Sequence, residues 1–132
     1  MSRFELEALR ASTDRGPVTM LNLVKYREVS TDGNGSGRDA YERYASKARG
    51  YVERVGGKVL WVGVMAEAAL DEGDNDTDWD WGLLVWYPSR QAFIDMVTSE
   101  DYLAANEHRE AGCAKHLILA SQTLLLEPPP TS

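Results

Sequence analysis

The strands readable in this chain are apolar on both sides, and this property restricts the fold more than any other. Successive side chains of a strand point to opposite faces, so a sheet with one wet face alternates apolar and polar residues. Segment 58–70 (KVLWVGVMAEAAL) instead sends Val59, Trp61, Gly63 and Met65 one way and Leu60, Val62, Val64 and Ala66 the other. Segment 81–87 (WGLLVWY) sets Leu83 and Val85 against Leu84 and Trp86. Segment 18–26 (VTMLNLVKY) is apolar on both sides apart from Asn22, Thr19 and Lys25. A sheet made of such strands has to be covered on both faces.

Two long helical segments accompany these strands. Residues 38–55 repeat Tyr41, Tyr44, Ala45, Ala48, Val52 and Val55 at spacings of three and four, which places them on one helix face. Gly56-Gly57 ends that helix, since glycine readily takes the left-handed cap conformation. Pro88-Ser89 opens a second helix running to Val97, with Ser89 as cap, and 99–114 reads as a further helical piece. A short amphipathic helix over 4–11 precedes the first strand, and 116–127 (HLILASQTLLLE) forms the last. The order βαββαβ is that of a ferredoxin-like split βαβ unit, an α+β fold with an antiparallel sheet. Helices can cover one face of its sheet. A second sheet is expected on the other, and a second copy of the chain supplies it, so the expected assembly is a homodimeric α/β barrel.

At 132 residues the chain has room for one domain, expected over 1–132, with its core at about 16–127 and a disordered Pro-rich tail at 128–132. The net charge of -7 repels phosphate backbones and anionic lipid, which argues against nucleic-acid and membrane partners. The one cysteine, Cys113, precludes an intrachain disulfide. No apolar signal core stands at the N-terminus, and a cytoplasmic location is expected.

Motifs for cofactors are missing. The loop TDGNGSGR (31–38) lacks the GxGxxG spacing of a dinucleotide site. In the acidic stretch DEGDNDTDWD, Asp74, Asp76 and Asp78 alternate like the start of a calcium loop. That loop needs glycine sixth and glutamate twelfth, where this chain has Trp79 and Val85. A solvated loop is the better reading. His108 and His116 stand eight apart with no HExxH pattern, so neither a metal nor an organic cofactor is expected.

The residues left for chemistry are few. His108 has a side chain suited to proton transfer near neutrality, and Arg109 beside it suits a carboxylate or enolate oxygen. The alternative is that Arg109 pairs with an acidic neighbour such as Asp95 or Glu100 while His108 caps or packs. Asn22 is an amide in an apolar strand and needs partners, from a ligand or from its own fold. Tyr44, Trp61 and Trp86 belong to an aromatic set that either lines a cavity or fills the core. Cys113, beside Ala111 and Ala114, reads as a packed thiol.

Four segments carry a resemblance: MLNLVKYRE (20–28), GGKVLWVG (56–63), WDWGLLVWYPSRQAF (79–93) and DYLAANEHR (101–109). In this order the chain resembles the "domain of unknown function 1330" family over about 16–121, and within it a branch with a GPVxMLNLL-type first strand and a YPSR turn. The resemblance implies a dimeric, ferredoxin-like α/β barrel. It points to Asn22, Trp61, the turn Tyr87-Pro88-Ser89-Arg90, Tyr102, His108 and Arg109 as matching positions. The glycine-rich loop at 33–37 and the long acidic turn depart from the usual pattern. Related barrel families include cofactor-free oxygenases, small-molecule isomerases and haem-handling proteins, an analogy of fold alone. Two functions follow as expectations. One is a cofactor-independent enzyme or sensor with a small-molecule pocket between sheet and helices, using His108 as base and Asn22, Tyr44, Trp61, Trp86 and Arg109 to bind. The other is a non-catalytic dimer with a filled aromatic core.

Overall fold

The structure is a computed structural model and describes residues 4–130. The last two residues of the expected tail lie outside the described residues. The elements run α1 (Leu6–Ala11), β1 (Val18–Tyr26), α2 (Gly37–Arg54), β2 (Lys58–Val64), β3 (Trp81–Tyr87), α3 (Arg90–Val97), α4 (Glu100–Gly112) and β4 (Cys113–Ser121). The four strands form one antiparallel sheet in the order β2-β3-β1-β4. This is the α+β, ferredoxin-like arrangement the element order implies. No helix among the described residues is long and apolar enough to cross a membrane.

Local chemistry sets the helix ends. Ser36 and Asp39 make a reciprocal capping box at the start of α2, which satisfies two backbone donors that the helix leaves open. Ser89 and Ser99 cap α3 and α4 through their hydroxyls. Gly56 takes a φ of 85° just past α2, where a side chain would be strained. Helix α4 lies so close to α2 that a Cβ on Gly112 would collide with the Gly37 carbonyl.

All four helices contribute to one face of the sheet. Val18, Met20, Val24, Val85 and Tyr87 pack there against Tyr41, Tyr44, Phe93, Met96 and Tyr102. Phe4 stands edge-on to Phe93 and Tyr102. On the other face the ladder aligns Leu21 with Leu84 and Leu119, and Leu23 with Leu117. Among the described residues no helix covers them: Leu21, Leu117 and Leu119 are 37%, 39% and 51% exposed.

Two strands differ from expectation. β2 stops at Val64, paired with Trp81, and one further bond, from the Met65 N–H to the Asp80 carbonyl at 2.9 Å, closes the ladder. The chain then leaves the sheet as the acidic loop. Asp80 ties that loop to β1: its N–H donates to the Val24 carbonyl, and its carboxylate accepts from the Tyr26 N–H, both at 2.8 Å. Asp78 pairs with Lys25 at 2.9 Å, and Asp76 pairs with Lys115. β4 begins at Cys113 and ends at Ser121, because β1 supplies partners only from Thr19 to Tyr26. Leu124, Leu125 and Leu126 therefore lie outside the sheet and are exposed.

A register irregularity in β2, between Val59 and Trp61, changes the facing of that strand. Val59 and Val62 now share the helix side, opposite Val85 and Leu83, and Trp61 is opposite Leu84 on the uncovered side. Strict alternation had placed Val59 and Trp61 together. One extra residue in a strand has this effect.

Candidate functional site

Between the sheet and α2, α3 and α4 lies a cavity of about 210 Å3. The strand period of two brings Met20 and Asn22 from β1, Trp81, Leu83, Val85 and Tyr87 from β3, and His116 and Ile118 from β4 onto its floor. The helical period brings Tyr41, Tyr44, Ala45, Ala48, Arg49 and Val52 from α2 onto its roof. Phe93, Met96 and Tyr102 close one side. Of these lining residues only Arg49 and Val62 are exposed, so the mouth opens between α2 and the edge strand β2.

The largely apolar wall is interrupted where a polar chain enters from α4. Arg109 donates from Nε to Asn106 Oδ1 and lies 5.3 Å over the Phe4 ring. Its Nη1 stands 3.2 Å from His116 Nδ1. A guanidinium only donates, so Nδ1 accepts and the ring proton sits on Nε2. Nε2 in turn donates to Asn22 Oδ1 at 3.0 Å, and Asn22 Nδ2 donates to the Met20 carbonyl at 3.2 Å. Burial, with the Arg109 charge added, pushes His116 down to about 3, so the imidazole is neutral at physiological pH.

A second polar pair faces the cavity. The hydroxyls of Tyr44 and Tyr102 are 2.7 Å apart and buried. Burial raises both phenols above their ordinary value. Nearby Cys113 is buried too, and desolvation pushes its thiol up to about 11, which leaves it protonated and unreactive.

The residues singled out by sequence separate into four places. Asn22 and Tyr44 line the cavity. Arg109 stands behind the wall and reaches the cavity through His116 rather than directly. His108 lies on α4 outside the lining, where Arg43 Nε donates to its Nδ1 at 3.5 Å. Trp61 and Trp86 belong to the uncovered face: Trp61 opposes Leu84, its ring lying against Gly63 and Gly82, and Trp86 opposes Thr19. The bulge in β2 moves Trp61 there, and the strand period puts Trp86 on the side away from Val85. The residue that sequence reasoning passed over is His116. Its signal was strand parity, since His116 and Ile118 share a side of β4.

The expected acidic loop holds no metal-like arrangement: no group of three His, Cys, Asp or Glu residues suited to an ion occurs among the described residues.

Comparison with known proteins places this geometry. No curated protein matches the chain. The RPA0582 protein of unknown function from Rhodopseudomonas palustris is 30% identical, with a TM-score of 0.81, over 96% of this chain and 97% of that one. Two solved structures share the fold at lower identity. SnoaB, a cofactor-independent oxygenase from Streptomyces nogalater, is 16% identical with a TM-score of 0.52, over 85% of this chain and 99% of its own. A dimeric protein of unknown function with a ferredoxin-like fold from Bacteroides fragilis is 13% identical with a TM-score of 0.50, over 83% of this chain and 98% of its own. The family model for a domain of unknown function, DUF1330, matches residues 35–123, and the chain belongs to that family.

Proposed function

We propose that this protein is a homodimer that binds a small, largely apolar molecule in the cavity between its sheet and its helices. The observation that carries this reading is the cavity itself, about 210 Å3 of space walled by Met20, Leu83, Val85, Phe93 and Met96 with Asn22, His116 and the Tyr44–Tyr102 pair at its edge. A well-packed interior has few voids larger than a water. Apolar space of this size binds apolar ligands. A filled aromatic core, the alternative raised by the sequence, accounts for it less well.

Binding is favoured over catalysis by the state of the wall. Both ring nitrogens of His116 are engaged, and its depressed basicity makes it a poor proton acceptor. His108 stands outside the lining. The cofactor-independent oxygenase chemistry of SnoaB comes to this chain by likeness of fold alone. The homodimer is supported by the uncovered apolar face and by the dimeric Bacteroides fragilis protein of the same fold.

Titration with toluene, followed by calorimetry, tests the reading. The wild-type chain is expected to bind it, and Ala48→Phe, which puts a ring into the cavity, is expected to lose at least tenfold in affinity. Equal affinities in the two proteins would sink the proposal.

A further inference from the structure

We infer that the cavity is built for a single-ring carboxylic acid carrying an oxygen acceptor on the side opposite its carboxylate; the inference rests on the reading of the cavity as a ligand site. Size comes first. An apolar cavity of about 150 Å3 admits benzene. At about 210 Å3 this one has room for one ring with substituents.

Charge at the mouth comes second. Arg49 is exposed at the cavity opening. No carboxylate lies within ion-pair distance of it among the described residues, although Glu53 stands one turn away on the same helix. Among the described residues no Asp or Glu lines the cavity. A chain of net charge -7 thus presents, at this opening, a free guanidinium and no anion. A guanidinium fork matches a carboxylate in shape as well as charge.

The third observation is a count of protons. Tyr44 and Tyr102 carry one hydroxyl proton each, and only one of the two lies in the bond between them. Among the described residues neither hydroxyl has a further acceptor. Arg109, whose charge acts on Tyr102, can only donate. One buried O–H of this pair, in the cavity lining, is therefore left for a ligand oxygen, and a buried donor left unmet is destabilising. Tyr44 and Arg49 both line the cavity from α2, so a ring substituted at opposite ends can address the hydroxyl pair with one end and the guanidinium with the other.

The test titrates the full chain with toluene, 4-methoxybenzoate, 4-methoxybenzamide and 4-ethylbenzoate. The amide lacks the charge, and the ethyl acid lacks the acceptor oxygen. 4-Methoxybenzoate is expected to bind about tenfold more tightly than either analogue. Arg49→Gln, at an exposed position that leaves the fold intact, is expected to abolish the preference for acid over amide. The double variant Tyr44→Phe/Tyr102→Phe is expected to abolish the preference for methoxy over ethyl. Should that variant not fold, the comparison of the two acids on the wild-type protein decides the point alone. Binding of toluene with no preference among the other three overturns the ligand class and leaves the cavity reading intact. Failure of all four compounds to bind overturns both. An unchanged acid preference in Arg49→Gln removes Arg49 from the site.

Discussion

Across the β1–β4 ladder, Nε2 of His116 donates to Oδ1 of Asn22 at 3.0 Å, so the one amide in an apolar strand is answered by the one histidine in the cavity wall. The pair is held from both ends, by Arg109 on the histidine and by the Met20 carbonyl on the amide. Replacing Asn22 with Ala leaves the buried Nε2–H without its acceptor. The expected cost is about 1–3 kcal/mol, read from urea unfolding. A cost near zero would mean that the bond contributes nothing.

The depressed basicity of His116 makes stability depend on pH. The folded protein resists protonating this ring until about pH 3, whereas the unfolded chain takes up the proton near 6.5. Below 6.5 the unfolded state therefore binds more protons, and stability falls with falling pH from 6.5 toward 3, by about 1.4 kcal/mol per unit. His116→Gln keeps a donor and an acceptor but cannot titrate. Compared between pH 7 and pH 5, the wild type is expected to lose about 2 kcal/mol more than the variant in urea unfolding. Parallel losses would contradict the account.

Close approach of α4 to α2 predicts a steep penalty at Gly112, where a methyl group meets the Gly37 carbonyl. Gly112→Ala is expected to lower stability by about 1–3 kcal/mol, the usual range for overpacking. Gly50→Ala, where a Cβ meets nothing within 4 Å, serves as the control and is expected to be neutral or stabilising.

The uncovered face predicts the assembly. Leu21, Leu117 and Leu119 are side by side on it, with Trp61 and Trp86 on the same side of the sheet. Sedimentation at micromolar concentration is expected to give twice the monomer mass. Leu119→Lys, which sets a charge in the middle of that surface, is expected to shift the mass toward one chain. A wild-type monomer would remove the dimer from the proposal.

Much of this architecture was legible beforehand, and the failures have physical causes. The bounds of β1 and β3 follow from apolar runs closed by Gly-Pro and Pro-Ser, and α2 follows from the spacing of its tyrosines and alanines. Strand ends that depend on a partner were less legible: nothing in the composition of 65–70 says that the ladder to β3 has closed, and Leu124–Leu126 look as strand-like as Leu117 and Leu119. The site was half legible. Asn22 stood out because a lone amide in an apolar strand demands a partner. Trp61 was turned away by a bulge that no residue type announces. His108 drew attention by its place beside Arg109, while the arginine reaches past it to His116, seven residues on and across the turn from α4 into β4.

The most direct measurement is where a small aromatic molecule sits when it binds. Two apolar surfaces compete for it, the cavity and the uncovered sheet face. Intermolecular NMR contacts from toluene to side-chain methyl groups tell them apart. Contacts to Met20, Leu83, Val85 and Met96 are the predicted result. Contacts confined to Leu21, Leu117 and Leu119 would contradict the account.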